Sequence, residues 1–256
     1  MWRCAAAVIA VIDRCKAHAG LTGGANEGTA MDLELLNAGD HGGLRKADLP
    51  ADRPHFVQIV ASEFAAAAAT CPIFLTKNSD TGQFYAGAMF GFEPGEDLLA
   101  GDGPRQRAFV PLDLERQGFF LAPGSAIAVD PDHPRFATGR GKALFETDGQ
   151  PSEALRRIQH VMAQLSAGLL ETDAFIQALL AHRLVEPVDV SLSFDDGKSL
   201  SLAGLYTVSL DALAGLQDAA ALELLRLDYL RLVYAMIGSL KQVSILAQLR
   251  NERLTA

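Results

Sequence analysis

The stretch from Cys71 to Phe92 reads CPIFLTKNSDTGQFYAGAMFGF. Ile73-Phe74-Leu75-Thr76 is a run of strand formers, and Asn78-Ser79-Asp80-Thr81-Gly82 has turn composition. A second strand is expected from Phe84 to Phe92. Along it Phe84, Ala86, Ala88, Phe90 and Phe92 share one face, and Tyr85, Gly87, Met89 and Gly91 share the other. Neither face is charged, which marks an interior strand, and the two glycines mark points where something lies close against the backbone.

Upstream of this pair, Phe56-Val57-Gln58-Ile59-Val60 reads as a short strand. Ser62 is expected to cap a helix that runs through Glu63 and the alanines to Ala69 and stops before Pro72. Downstream, Ala108-Phe109-Val110, Phe119-Phe120-Leu121 and Ala126-Ile127-Ala128-Val129 are shorter strand candidates. After Pro151 the apolar period changes to 3.6. Ser152 is a good N-cap, Leu155, Ile158, Met162, Leu165 and Leu169 form one stripe, and a second helix is expected to start at Thr172-Asp173, unless the two form one bent rod. Val188, Val190, Leu192 and Phe194 alternate with Asp189, Ser191 and Ser193. Asp195-Asp196-Gly197-Lys198 then turns the chain toward Leu200 and Leu202, a hairpin with one buried face. A helix from Gln217 to Ile237, with the stripe Leu222, Leu225, Tyr229, Leu232 and Met236, and another from Ser239 to Asn251 close the chain. Strands first and helices later give an α+β class: a mostly antiparallel sheet, helices packed on one side, and a helical C-terminal third.

Composition narrows the function classes. The 256 residues are 49% hydrophobic and 21% charged, globular values that exclude a disordered, collagen-like or disulfide-built chain. A net charge of −9, from 22 Lys and Arg against 31 Asp and Glu, argues against a nucleic-acid binder or an anionic-membrane binder. Residues 1–30 differ from the rest. The run Ala5 to Ile12 is too short to span a bilayer, which takes about 20 residues. Arg3 and Ala17-His18-Ala19 suggest a secretory signal, but Asp13, Arg14 and Lys16 stand where a signal is uncharged. The preferred reading is a lead-in, disordered or upstream of a working start at Met31, followed by a single domain over 31–256. That implies a cytoplasmic protein, or one at the cell surface if residues 1–30 act as a signal. Of Cys4, Cys15 and Cys71, only Cys71 lies in the patterned part, where its apolar neighbours predict a buried thiol.

Phosphate loops, nucleophile elbows, HExxH and CxxC are absent from the sequence. Asp130-Pro131-Asp132-His133-Pro134 is the densest group of metal-ligand types, which makes Asp130 and His133 weak metal candidates, with His41 or His55 to complete a site. The plain alternative is a proline-stiffened turn. Gly95-Glu96-Asp97 puts carboxylates at a strand end, or is an acidic turn. His41-Gly42-Gly43-Leu44-Arg45 places an imidazole and a guanidinium where a carboxylate ligand could bind, or where a histidine closes a turn. No cofactor is assigned. A pocket is expected where Gly87 and Gly91 leave room beside the sheet, with Arg116 and Tyr206 as polar contacts.

The order of Leu36-Asn37, His41 to Arg45, Ala61-Ser62-Glu63-Phe64 with the alanine run into Pro72-Ile73, and Phe90-Gly91-Phe92 with Gly95-Glu96 resembles the bacterial SapC family. The resemblance continues through Phe109-Val110-Pro111 and Arg116, Gly141 to Phe145, Asp148 to Ser152, Gly204-Leu205-Tyr206, Tyr234-Ala235 and Ser239-Leu240, from about Leu35 to Leu249. The chain departs from the family's pattern at Glu115, Asp97, Gly118 and Ser209-Leu210. The resemblance implies a non-catalytic accessory or ligand-binding protein of an uptake or modification system. Its ligand would be a peptide or small molecule; the binding residues, His41, Arg45, Glu96, Arg116 and Tyr206, come from the residue patterns above and not from the family. Protein partners would come from a gene neighbourhood of TonB-dependent receptors, halogenase-like flavoproteins or cupin-like proteins. Two alternatives stand beside it: a metal-dependent, oxygen-using enzyme with His41, Glu96, Asp130 and His133 as candidates, and a surface-layer structural component.

Overall fold

The computed structural model describes residues 33–47, 54–100, 109–136 and 139–254; the lead-in read at residues 1–30 lies outside them. Among the described residues the strands are β1 (Glu34–Leu35), β2 (Arg45–Lys46), β3 (Phe56–Gln58), β4 (Ile73–Lys77), β5 (Phe84–Met89), β6 (Phe119–Leu121), β7 (Ile127–Val129), β8 (Lys142–Ala143), β9 (Val185–Pro187), β10 (Val190–Ser193), β11 (Ser199–Leu202) and β12 (Leu205–Val208). The α-helices are α1 (Ala38–His41), α2 (Phe64–Ala68), α3 (Leu112–Glu115), α4 (Glu153–Ala181), α5 (Leu210–Ala214), α6 (Asp218–Arg226), α7 (Tyr229–Ser239) and α8 (Gln242–Leu254). Every strand pairing is antiparallel, and the last part of the chain is helical, so the class is α+β. The chain divides into two compact units, Met1–Ala51 with Leu112–Leu165, and Asp52–Pro111 with Ser166–Ala256, a partition that composition along the chain does not mark.

The first unit holds a three-stranded sheet, β1-β7-β6, and the pair β2-β8. Its core is Phe119, Val129, Phe136, Leu144, Leu155, Ile158 and Met162, so the stripe read on the first half of α4 is the buried one. Ser152 caps that helix as expected, its Oγ accepting from Leu155 N at 3.3 Å and donating to the Ala143 carbonyl at 2.7 Å. Arg135, 3% exposed, donates to the carbonyls of Ala47, Leu114, Glu115 and Gln117, which ties three separate segments together. Glu115 accepts from Arg157 Nε and Nη2, each at 2.9 Å.

The second unit is built on the sheet β3-β5-β4-β12-β9. The expected interior strand is interior: β5 pairs Phe56 with Met89 on one edge and Lys77 with Phe84 on the other. Beside it, Ile73, Phe74 and Leu75 of β4 are fully buried. Helix α7 packs on β4, β12 and α2. Its last residue, Ser239, sits at the end of β4, where Oγ accepts from Ile73 N at 2.9 Å and donates to the Met236 carbonyl at 2.6 Å. The hairpin is β10-β11 with the register Val190↔Leu202 to Ser193↔Ser199. Gly197 takes the left-handed φ of 81° that the turn requires.

Several local expectations are overturned. Ser62 does not cap a helix; Ala61–Glu63 is a 3₁₀ turn, and the Glu63 carboxylate takes the Val60 N–H at 2.9 Å. Helix α4 runs unbroken through Thr172, so of the two readings the single rod stands and the second helix start does not. The Thr172 hydroxyl donates to the Gly168 carbonyl one turn back, at 2.6 Å, and accepts from Ala61 N at 2.8 Å, so it serves the helix instead of starting a new one. Gly168 supplies the clearance, because a Cβ there would strike the Val60 side chain. Phe109 and Val110 are not in a strand; Phe109 stacks on Phe90 at 6.4 Å and gains its burial that way. The helix read from Gln217 to Ile237 is broken at Asp228, whose φ of 59° is left-handed. The stripe therefore splits, leaving Leu224 buried on α6 and Leu222 and Leu225 exposed. The later break falls at Leu240-Lys241, not at Gly238-Ser239. Strands β9 and β12 were not anticipated.

Ser239→Ala removes the hydroxyl that the buried Ile73 N–H donates to, and is expected to lower stability by about 1–3 kcal/mol. Equilibrium urea unfolding measures this, and an unchanged midpoint would contradict the role given to Ser239.

Candidate functional site

The residues singled out from the sequence fall in both units: His41, Arg45, Arg116, Asp130 and His133 in the first, Glu96 and Tyr206 in the second. In the first unit each has a local partner. His41 is 5% exposed, its Nδ1 accepts from Asn37 N at 3.3 Å, and its Nε2 lies 3.1 Å from the Glu34 carboxylate, so it closes the α1 turn. Arg45 is exposed and reaches the Gly141 carbonyl at 3.3 Å. Arg116 pairs with Asp113 at 2.6 Å and donates to the Phe119 carbonyl at 3.4 Å.

Asp130 and His133 form the proline-stiffened turn. The Asp130 carbonyl accepts from His133 N at 3.1 Å, its carboxylate takes Asp132 N, and His133 Nδ1 takes Arg135 N at 3.2 Å. Among the described residues, no three His, Cys, Asp or Glu side chains stand together as a metal would need. Cys71 is buried; burial, and then the nearby Glu63 carboxylate, push its thiol up to about 12.

The room expected beside Gly87 and Gly91 is filled by the protein itself. A Cβ at Gly87 would strike the Phe56 ring, and one at Gly91 would strike the Glu96 backbone. Tyr206 meets Phe84 edge to face at 4.9 Å. Lys77 Nζ lies 5.0 Å from the Phe84 ring centre and 5.3 Å from the Tyr206 ring centre. That group is a cation–π contact on the sheet.

Glu96 belongs to a charge cluster of the second unit that surrounds the buried Arg250. Gly95, with φ of 81°, turns the chain after Phe92, and the Glu96 Oε2 accepts from Phe92 N at 2.7 Å. The other oxygen faces Arg250 Nε at 3.6 Å, while Glu93 Oε2 stands 3.2 Å from Arg250 Nη2. The Arg250 guanidinium lies 4.4 Å from the Phe194 ring centre, and Phe194 leans on Phe92 at 5.7 Å. Arg250 comes from α8, Phe194 from the hairpin, and the two glutamates from the loop after β5. Its neighbour Asn251 accepts from Asp195 N at 3.2 Å, so one turn of α8 holds both the hairpin tip and the 93–96 loop.

Arg250 is 6% exposed, yet among the described residues its Nη1 has no hydrogen-bond partner, while Glu93, which holds Nη2, is 53% exposed. A buried guanidinium with an open donor and an exchangeable carboxylate suits recognition of a carboxylate or carbonyl. Glu96 was visible in the sequence from its place after Gly95. Arg250 and Phe194 were not, because Phe194 reads only as the inner face of a hairpin, and nothing in Gln248-Leu249-Arg250-Asn251-Glu252-Arg253 says which arginine turns inward.

His55 stands near this cluster. Burial lowers its pKa, partly offset by the Glu96 charge; burial also lowers that of His133, with Asp130 opposing and Arg135 adding. A histidine whose folded pKa is depressed favours folding fully above its unfolded value, about 6.5, and loses that contribution as pH falls below it. Stability by urea unfolding is therefore expected to drop between about pH 7 and pH 5, less steeply in His55→Gln; an unchanged slope in that variant would remove His55 from the account.

Tyr229–Leu254, which spans α7 and α8, contains an 18-residue window of mean hydropathy 1.3, one third of it buried, long and apolar enough by composition to cross a membrane. A core helix meets the same test, and Leu232, Val233, Met236, Val243 and Leu246 are buried here. No curated protein and no solved structure matches the chain. The SapC family model matches residues 36–246, most of the length and both units, and the chain belongs to the SapC family.

Proposed function

We propose that this SapC-family chain is a non-catalytic accessory protein of a bacterial uptake or modification system, and that it binds a peptide or small molecule through a carboxylate at Arg250. The observation that carries this reading is the open Nη1 of a guanidinium that is 6% exposed, beside a half-exposed Glu93 that can be displaced. An incoming carboxylate that replaces Glu93 would take Nη1 and Nη2 together, the bidentate geometry that arginine favours. Glu96 would keep its place, because its second oxygen is held by Phe92 N, and Phe194 would keep the guanidinium plane fixed from one side. Of the residues named for the enzyme alternative, His41 engages Asn37 N and the Glu34 carboxylate, and His133 takes Arg135 N. The protein would act in the cytoplasm beside a partner encoded near TonB-dependent receptors or halogenase-like flavoproteins.

Calorimetric titration of the full chain with N-acetyl-glutamate and N-acetyl-glutamine amide tests the site. Binding of the acid but not the amide is expected, tightened by Glu93→Gln and weakened at least about tenfold by Arg250→Lys, which keeps the charge but loses the fork. Binding indifferent to both substitutions, or none at millimolar acid, would overturn the carboxylate reading. Stoichiometric iron or zinc in the purified protein, lost in His133→Ala, would favour the enzyme alternative in its place.

A further inference from the structure

Helix α6 turns Leu224 into the unit and presents Asp218, Leu222, Leu225 and Arg226 outward. These positions, spaced four, seven and eight residues from the first, lie on one face of a helix. Leu222 is 44% exposed and Leu225 60%. Leu227 immediately beyond the helix is 49% exposed, and Leu210 at the start of α5 is 58%. Single exposed leucines are ordinary, but two on one helical face, bracketed by opposite charges, are a patterned surface.

The charges on its flank already have partners. Glu223 faces His182 at 3.5 Å, and Arg231 bonds Asp228 and approaches Glu171 at 3.9 Å. Asp218 and Arg226 have no ion-pair partner among the described residues. Each suits its own helix end, acid at the N-terminus and base at the C-terminus, which accounts for the charges but not for the leucines between them.

We infer that two copies of this chain associate through α6, antiparallel about a two-fold axis at Leu222. That axis sets Leu222 against its own copy, Leu225 against Ala219 of the second copy, and Asp218 against Arg226 at both ends, so one surface satisfies itself, as a two-fold interface must. A parallel pairing would bring Asp218 to Asp218 and Arg226 to Arg226, which repel. The patch is small beside the ~800 Å² per partner of a stable complex, so the dimer is a weak one, with a dissociation constant of roughly 10–100 μM.

Sedimentation equilibrium of the full chain, from about 1 to about 300 μM, reads this directly. The wild type is expected to pass from monomer to dimer over that range, and Leu222→Glu with Leu225→Glu to stay monomeric with an unchanged circular dichroism spectrum. Asp218→Arg and Arg226→Asp are each expected to weaken association about fivefold or more, and the two together to restore it, because the swap exchanges the ends of each pair. A wild type that is monomeric throughout, or a dimer that ignores the leucine substitutions, would overturn the inference. A charge-swapped pair that fails to recover while still folded would overturn the antiparallel arrangement.

Discussion

Strand β4 sets the terms for the second unit. Ile73, Phe74 and Leu75 are wholly buried in succession, so both faces of the strand must be covered and both edges paired. Burying three such side chains is worth roughly 1.5–3 kcal/mol each, and the gain is kept only if the backbone polar groups between them find partners. The edges are met by β5, the next strand in sequence, and by β12, brought from far downstream. At the strand's start the Ile73 N–H is met by a side chain from α7, the Ser239 hydroxyl. The small residues follow from the same demand. Gly87 makes room for the Phe56 ring, and Gly168 lets α4 settle against Val60 so that Thr172 can reach Ala61 N.

Two arginines show how differently a buried guanidinium can be held. Arg135 gives its N–H groups to backbone carbonyls, which are fixed by the chain and cannot be exchanged. Arg250 is held by two carboxylates and a ring, and one of those carboxylates belongs to a half-exposed side chain. Desolvating such a cation is costly and is offset only while good acceptors surround it. A group with an unpartnered donor beside a half-exposed acceptor is the feature on which the proposed carboxylate site rests. The same cation also ties the last helix to the hairpin and the 93–96 loop.

Local pattern made the fold readable wherever one segment's burial is decided by its own neighbours in sequence. The alternation in Phe84 to Met89, the Asp196-Gly197 turn and the Ser152 cap all act over a few residues, and all three stand where they were expected. The misreadings share one cause. Thr172 looked like a helix start because its hydroxyl can cap, but a partner 111 residues away, Ala61 N, together with the Gly168 carbonyl, occupies it inside the helix. Val185–Pro187 and Leu205–Val208 are three or four residues long and have no pattern that separates them from connecting loops; only the sheet they join makes them strands.

The sequence by itself determined the α+β class, the interior strand, the hairpin and the membership of a family, since composition, alternation and residue order carry all of these. It also placed Glu96 at a turn that matters. Tertiary structure decided the rest: which arginine is buried, which leucines remain outside once Asp228 breaks the helix, and which histidines close turns. These depend on distances between residues far apart in the chain, and a side chain's chemistry is set by what folding brings within a few ångströms of it.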